Sequence, residues 1–304
     1  MSLETDLLID RRRLKRGLIT WRVVAILAVV LAALALLGRG AASWPGSRYV
    51  AVLHVNGIIT DDEKRVEAVS DLATTRDAAA LVVDIDSPGG SVAGGEALHD
   101  AIATVARVKP VVTVMGGTAA SAGYMIAVPA ARIFARNATI TGSIGVIMEA
   151  PEFGGLLGKL GIDVQTLVSG PLKGQPSFTA PMTDQGHQAL QALLMDLYDQ
   201  FVGMVAVGRH MTPDAVRALA DGRAYTGRQA LPLHLVDQIG GMDDARAWLA
   251  RERGVPADLP TRDVRDASAG VSILGIKIGG LANLLFSQTL MLDGAVSLWQ
   301  PSGV

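Results

Sequence analysis

Ser121 is the residue with the clearest access to reactive chemistry. It sits in the segment Gly117-Thr118-Ala119-Ala120-Ser121-Ala122-Gly123-Tyr124, where its immediate neighbours are small. Small neighbours leave room for a substrate, and a helix starting here aims its positive end at a developing oxyanion. The same position also suits a serine that only caps the helix. A hydrolytic serine needs a proton acceptor. The five histidines, His54, His99, His187, His210 and His234, show no evident aspartate relay in the sequence. A lysine serves instead if its surroundings let it shed its proton. Lys173, among Gly170, Pro171, Leu172 and Gly174 and away from acidic residues, is the candidate. The ordinary alternative is a solvated loop lysine.

Two glycine turns follow expected strands: Asp86 to Gly90, and Gly116-Gly117 ahead of Ser121. In parallel α/β proteins such strand ends line the functional crevice. Glycine lets backbone and substrate approach closely, though such turns are also plain architecture. A third cluster, Thr141-Gly142-Ser143-Ile144-Gly145, reads equally as a tight turn. No Walker loop, dinucleotide fingerprint or HExxH zinc motif occurs. The absence of cysteine excludes disulfides, thiol nucleophiles and thiolate metal sites. No metal or organic cofactor is expected.

The elements that must hold these residues follow from periodicity. Tyr49 to Val55 is β-rich, and Ala78 to Ile85 is a nearly continuous apolar run, as in a strand covered on both faces. Val92, Ala97, Leu98, Ile102, Val105 and Ala106 have helical spacing, closed by Lys109-Pro110. Val111 to Met115 is the next strand, and a compact helix is expected from near Ser121. Short apolar segments follow at 131–134 and 145–148. A helix is expected from about Asp184 to Val207, with shorter ones at 213–220 and Met242 to Arg253. The alternation favours a mainly parallel sheet with helical crossovers.

Of the 304 residues, half are apolar, and the net charge of -2 gives no argument for a nucleic-acid partner. A basic block, Arg11, Arg12, Arg13, Lys15 and Arg16, precedes an uninterrupted apolar run of 15 residues from Val23 to Leu37. Leu18, Ile19 and Trp21 lengthen it towards the roughly 20 residues of a spanning helix if Arg22 snorkels. The basic side stays cytoplasmic, so the rest of the chain is expected beyond the membrane. A cleaved signal peptide is the alternative. The expected organisation is a cytoplasmic N-terminus at 1–20, a membrane anchor at 21–38, a linker at 39–47, a catalytic domain at 48–253 and an extension at 254–304. The extension carries an apolar tail, Val271 to Trp299, able to pack on the domain, meet another subunit or touch the membrane.

Asp86-Ser87-Pro88-Gly89-Gly90, Ala120-Ser121-Ala122-Gly123-Tyr124, Gly142-Ser143-Ile144-Gly145-Val146 and Ser169-Gly170-Pro171-Leu172-Lys173 occur in one order. Together with Ser177 to Thr183 and Asp221 to Ala230, they resemble the S49 peptidases of the bacterial signal peptide peptidase A type over about residues 49–253. The resemblance implies an α/β fold of the Clp protease/crotonase kind. It also implies Ser121 as nucleophile, Lys173 as general base, Ser143 orienting the lysine, and the N–H groups of Gly90 and Ala122 as oxyanion donors. Substrates would be peptides, signal-peptide remnants above all, cut at an inner bacterial membrane on its outer side by a homo-oligomer, tetramer or octamer. One catalytic unit matches the short form of the family. A crotonase-like hydratase or isomerase and an inactive membrane scaffold are the rival readings.

Overall fold

The protein is described by a computed structural model covering residues 47–264, preceded by Trp21, Arg22 and 24–29 and followed by the backbone of 272–273 and 276–277. The chain divides into two units, Met1–Arg48 and Tyr49–Val304. In the first, residues 21–22 and 24–29 are helical and exposed. The rest of the expected anchor, the basic N-terminus and the tail beyond 277 lie outside the described residues.

The second unit opens with β1 (Tyr49–Ile59), α1 (Glu63–Ser70), β2 (Ala78–Gly90) and α2 (Val92–Ala106). It continues through β3 (Val111–Ala120), α3 (Ala122–Met125), β4 (Arg132–Ala135), β5 (Ile140–Gly142) and α4 (Gly154–Lys159). The long α5 (Asp184–Gly208) is followed by α6 (Pro213–Arg217), β6 (Ala224–Thr226), α7 (Gly227–Ala230), β7 (Gln238–Ile239), α8 (Met242–Arg253) and β8 (Thr261–Asp263). Eight strands form one sheet in the order β6-β5-β3-β2-β1-β8, with β4 beside β3 and β7 beside β4. Only the β5–β6 pair is antiparallel. The sheet therefore takes in β8, past residue 253, through its parallel pairing with β1.

Strand alternation divides the apolar residues between two faces. Leu53, Val55, Leu81, Val83, Ile85 and Met115 face a core closed by Leu98, Ile102, Val105, Tyr124, Phe201 and Val205. Val50, Val52, Val82, Val112, Val114 and Phe134 face the other way, under Trp248 and Leu249 of α8. Burial on both faces explains why Ala78 to Ile85 carries no polar alternation. Ser91 starts α2 by accepting a hydrogen bond from Gly94 N at 3.1 Å, and Thr183 starts α5 by accepting one from Gly186 N at 3.0 Å.

Two expectations shift. β2 does not stop at Ile85 but runs to Gly90, because Ile58 and Ile59 of β1 pair with Gly89 and Gly90. The apolar segment at 145–148 forms no strand. It opens an exposed arm, through about residue 182, in which only α4 is helical. Among the described helices, α5 is long and apolar enough to span a membrane by length and composition. Its C-terminal part nevertheless packs into the core through Phe201, Val202, Val205 and Ala206.

Candidate active site

β3 delivers Ser121 to the carboxyl end of the sheet, and the chain turns there into α3. Ser121 has φ 54° and ψ −123°, backbone space that a residue with a side chain rarely occupies. Such strain persists only where surrounding structure holds it, and it concentrates at functional sites. Ser121 N donates to Gly142 O at 2.9 Å, while Ser121 O accepts from Tyr124 N and Met125 N at 2.8 and 2.9 Å. Its hydroxyl makes no capping bond to the helix. The capping role that the sequence left open is therefore not the one Ser121 plays here.

Opposite this elbow lies the turn at the end of β2. Gly89 has φ +115°, and a Cβ there would stand 2.8 Å from Ser121 Cβ and 3.2 Å from Ala122 N. A Cβ on Gly90 would fall 1.9 Å from Ile59 O. Two backbone turns thus meet with no room for a side chain between them. Gly89 is buried and Gly90 exposed. Ala122 opens α3, so its N–H belongs to the first-turn groups that a helix cannot pair internally.

Ser143 comes to the same end of the sheet directly after β5. It too has positive φ, 48°, and its N–H donates to Arg223 O at 3.0 Å. Thr141 Oγ1 donates to Ala119 O at 2.8 Å, which ties β5 to β3 just before the elbow. Gly90, Ser121, Ala122 and Ser143 are therefore assembled by β2, β3 and β5. Lys173 is not drawn into this cluster. It lies exposed on the turn 171–174, held by its N–H to Gly170 O at 3.1 Å, and its side chain forms no hydrogen bond with either serine.

Several residues around the site carry no chemical signal in the sequence. Three residues of β3, Gly116 to Thr118, oppose the single Asp86 of β2, because Ile85 pairs with Met115 and Ser87 with Ala119. The Asp86 carboxylate closes this bulge by accepting from Thr118 N at 3.0 Å. Tyr124, fully buried, donates its hydroxyl to Leu235 O at 2.8 Å and anchors α3 to the segment before β7. Burial pushes the Tyr124 phenol well above its ordinary pKa. The DSPGG run was the one available pointer to Asp86. Nothing local distinguishes Tyr124 from any core tyrosine.

The histidines lie elsewhere. His54 Nδ1 is 2.9 Å from Asp84 Oδ2, and its Nε2 is 3.5 Å from Asp263 Oδ1, so the sheet creates a pairing between strands that sequence spacing conceals. His99 meets Asp100 at 2.9 Å. Neither forms a hydrogen bond with Ser121. Among the described residues, no group of three His, Cys, Asp or Glu is placed to hold a metal ion.

Comparison with known proteins identifies a peptidase family. The family model for peptidase family S49 matches residues 103–256, and that for Clp protease matches residues 56–147. A putative protease of Synechocystis is 41% identical over 59% of this chain and 65% of its own length. A putative signal peptide peptidase SppA of Enterococcus faecium is 35% identical over 73% of this chain and 64% of its own. Protease 4 of Salmonella typhi is 36% identical over 66% of this chain and 34% of its own. Each match thus spans less than two thirds of the relative's length.

Proposed function

The chain belongs to peptidase family S49, and from that premise we propose that it is a serine endopeptidase working through Ser121 and Lys173 on a fold of the Clp protease/crotonase kind. The observation that carries this reading is the strained Ser121 elbow, its hydroxyl unused by the helix, pressed against the Gly89-Gly90 turn.

In the proposed reaction, Ser121 Oγ attacks the peptide carbonyl as the free amine of Lys173 takes its proton. The N–H groups of Gly90 and Ala122 receive the oxyanion as preorganised donors. Collapse expels the peptide amine, which takes the proton from Lys173, and leaves an acyl-enzyme on Ser121. Water, deprotonated by Lys173, then attacks the ester, and Lys173 returns that proton to the departing Ser121 Oγ, which restores both residues and releases the acid product. Ser143 steers the lysine amine. The chemistry needs no metal or cofactor.

An amine acts as a base only after losing its proton, and apolar enclosure favours that loss. The arm bearing Lys173 offers the material for such an enclosure: Leu167 is 97% and Ile147 81% exposed, with Phe153, Leu156 and Leu160 also open to solvent. So many apolar side chains exposed along one arm suit an interaction surface. We assign it to contact between copies of this chain, as a tetramer or octamer. The apolar run at 23–37 supports a single-pass anchor in a bacterial inner membrane, with the peptidase domain on its outer side. Peptides left in or near that membrane, signal-peptide remnants first, are the proposed substrates.

The test uses the full chain in detergent with a synthetic signal-peptide remnant and a fluorophosphonate probe. Wild type is expected to cut within the apolar segment and to be labelled, while Ser121→Ala and Lys173→Ala, folded and assembled, lose turnover. Wild-type turnover in both variants rejects the dyad. A wild type that neither cleaves nor labels favours the scaffold reading, and inhibition by an acyl-CoA favours the crotonase-like one.

A further inference from the structure

The turn facing Ser121 is held on one side by β1, whose Ile58 and Ile59 pair with Gly89 and Gly90, but both ladders are irregular just before it. Pairing of β2 with β1 slips between Asn56 and Ile58, and pairing with β3 slips between Ile85 and Ser87. Pro88 has no N–H to give to either neighbour. Yet Gly89 keeps φ +115° and lies within van der Waals reach of Ser121 and Ala122 N. A second hold acts on that position beside the pairing with β1.

Ser87 is the group that supplies it. It has no exposed surface, one of four buried polar residues among those described. A buried hydroxyl is costly unless it is bonded. Ser87 Oγ accepts from Gly89 N at 3.1 Å and lies 3.4 Å from Gly89 O, to which it donates. Both contacts fall on one residue, so the hydroxyl acts as a clasp across the turn. On its other side the Ser87 carbonyl lies against Gly123, where a Cβ would stand 2.9 Å away. Ser87 therefore touches both the turn and the first turn of α3.

We infer that Ser87 is a positioning residue: its buried hydroxyl fixes the Gly89-Gly90 turn so that a backbone N–H faces the carbonyl attacked by Ser121. Gly89 N is engaged by Ser87, which leaves the next N–H, that of Gly90, as the proposed oxyanion donor. Ser87 itself touches no substrate. The inference rests on the proposed serine-peptidase reading and adds how its oxyanion donor is held.

The test measures kcat and KM on an internally quenched leucine-alanine peptide, and fluorophosphonate labelling rates, for the full chain in detergent. Ser121→Ala serves as the reference. Ser87→Ala is expected to lower kcat by about 10- to 100-fold, the range that misplacing one reacting group costs. KM should stay within about twofold, and labelling should slow in proportion. A purely structural role would lower the amount of folded protein without this split between kcat and KM. Should Ser87→Ala not fold, Ser87→Cys keeps the volume with a weaker hydrogen-bonding atom, and an intermediate loss of kcat is expected. Wild-type kcat in the folded Ser87 variant, with Ser121→Ala inert, overturns the clasp alone. Activity retained by Ser121→Ala overturns the reading beneath it.

Discussion

Replacing Arg209 by methionine should weaken the fold at the point where α5, α3 and β4 share one short segment. The Arg209 side chain is 6% exposed; its Nε donates to His234 O at 2.8 Å, and its Nη1 and Nη2 donate to Asp237 Oδ2 and Oδ1 at 3.1 and 2.5 Å. Asp237 also accepts from Ile133 N at 2.8 Å, and Tyr124 donates to Leu235 O beside it. Burial is the largest single influence and works against the Arg209 charge, but the hydrogen bonds with Asp237 and the charge interactions with Tyr124 and Asp237 together outweigh it, so the guanidinium pKa is raised. Methionine preserves much of the length and none of the charge. It leaves a partly buried carboxylate with one N–H donor, where breaking a buried pair costs about 3–5 kcal/mol. Asp237 keeps some access to water, which favours the lower end, about 3 kcal/mol. For a domain of this size that is a fall in Tm of about 6–12 °C. Thermal unfolding of the full chain in detergent, followed by circular dichroism, reads it directly. The double variant with Asp237→Asn should be less destabilised than the two single losses added together. A fall below about 2 °C, or strict additivity, would refute the claim that this pair locks the segment.

Two further predictions concern the site's supports. Tyr124→Phe strands the Leu235 carbonyl and should cost about 1–2 kcal/mol in urea unfolding at neutral pH. Because burial raises the folded-state pKa of this phenol, the wild type keeps its contribution below about pH 10. It then loses about 1.4 kcal/mol per pH unit above that until the folded phenol ionises. Tyr124→Phe should flatten this alkaline slope, and identical slopes at pH 9–11 would contradict it. Gly89→Ala combines a positive φ with a Cβ 2.8 Å from Ser121 Cβ. It should slow fluorophosphonate labelling by at least about 100-fold. Labelling at the wild-type rate would show that the turn and the elbow do not need their close contact.

The secondary structure was legible because its causes are local. The nearly continuous apolar run at 78–85, the helical spacing at 92–106 and the long apolar face from 184 mark β2, α2 and α5 within a few residues, since periodicity and caps act between near neighbours. The ordered DSPGG, ASAGY, GSIGV and SGPLK segments also pointed to the S49 family, to which the chain belongs. What only the tertiary structure decided involves residues far apart in sequence. β2 runs through Pro88 and Gly89 because β1 pairs with its end, and β8 lies in the sheet because Val50 to Val52 accept it. Positive φ at Ser121 and Ser143 depends on the contacts to Gly142 and Arg223 that hold them. His54 meets Asp84 and Asp263, and Arg209 meets Asp237, only once strand order has brought them together. Residue type and spacing record what a segment can do with its neighbours; which distant partner fills each bond is set by the order of strands in the sheet.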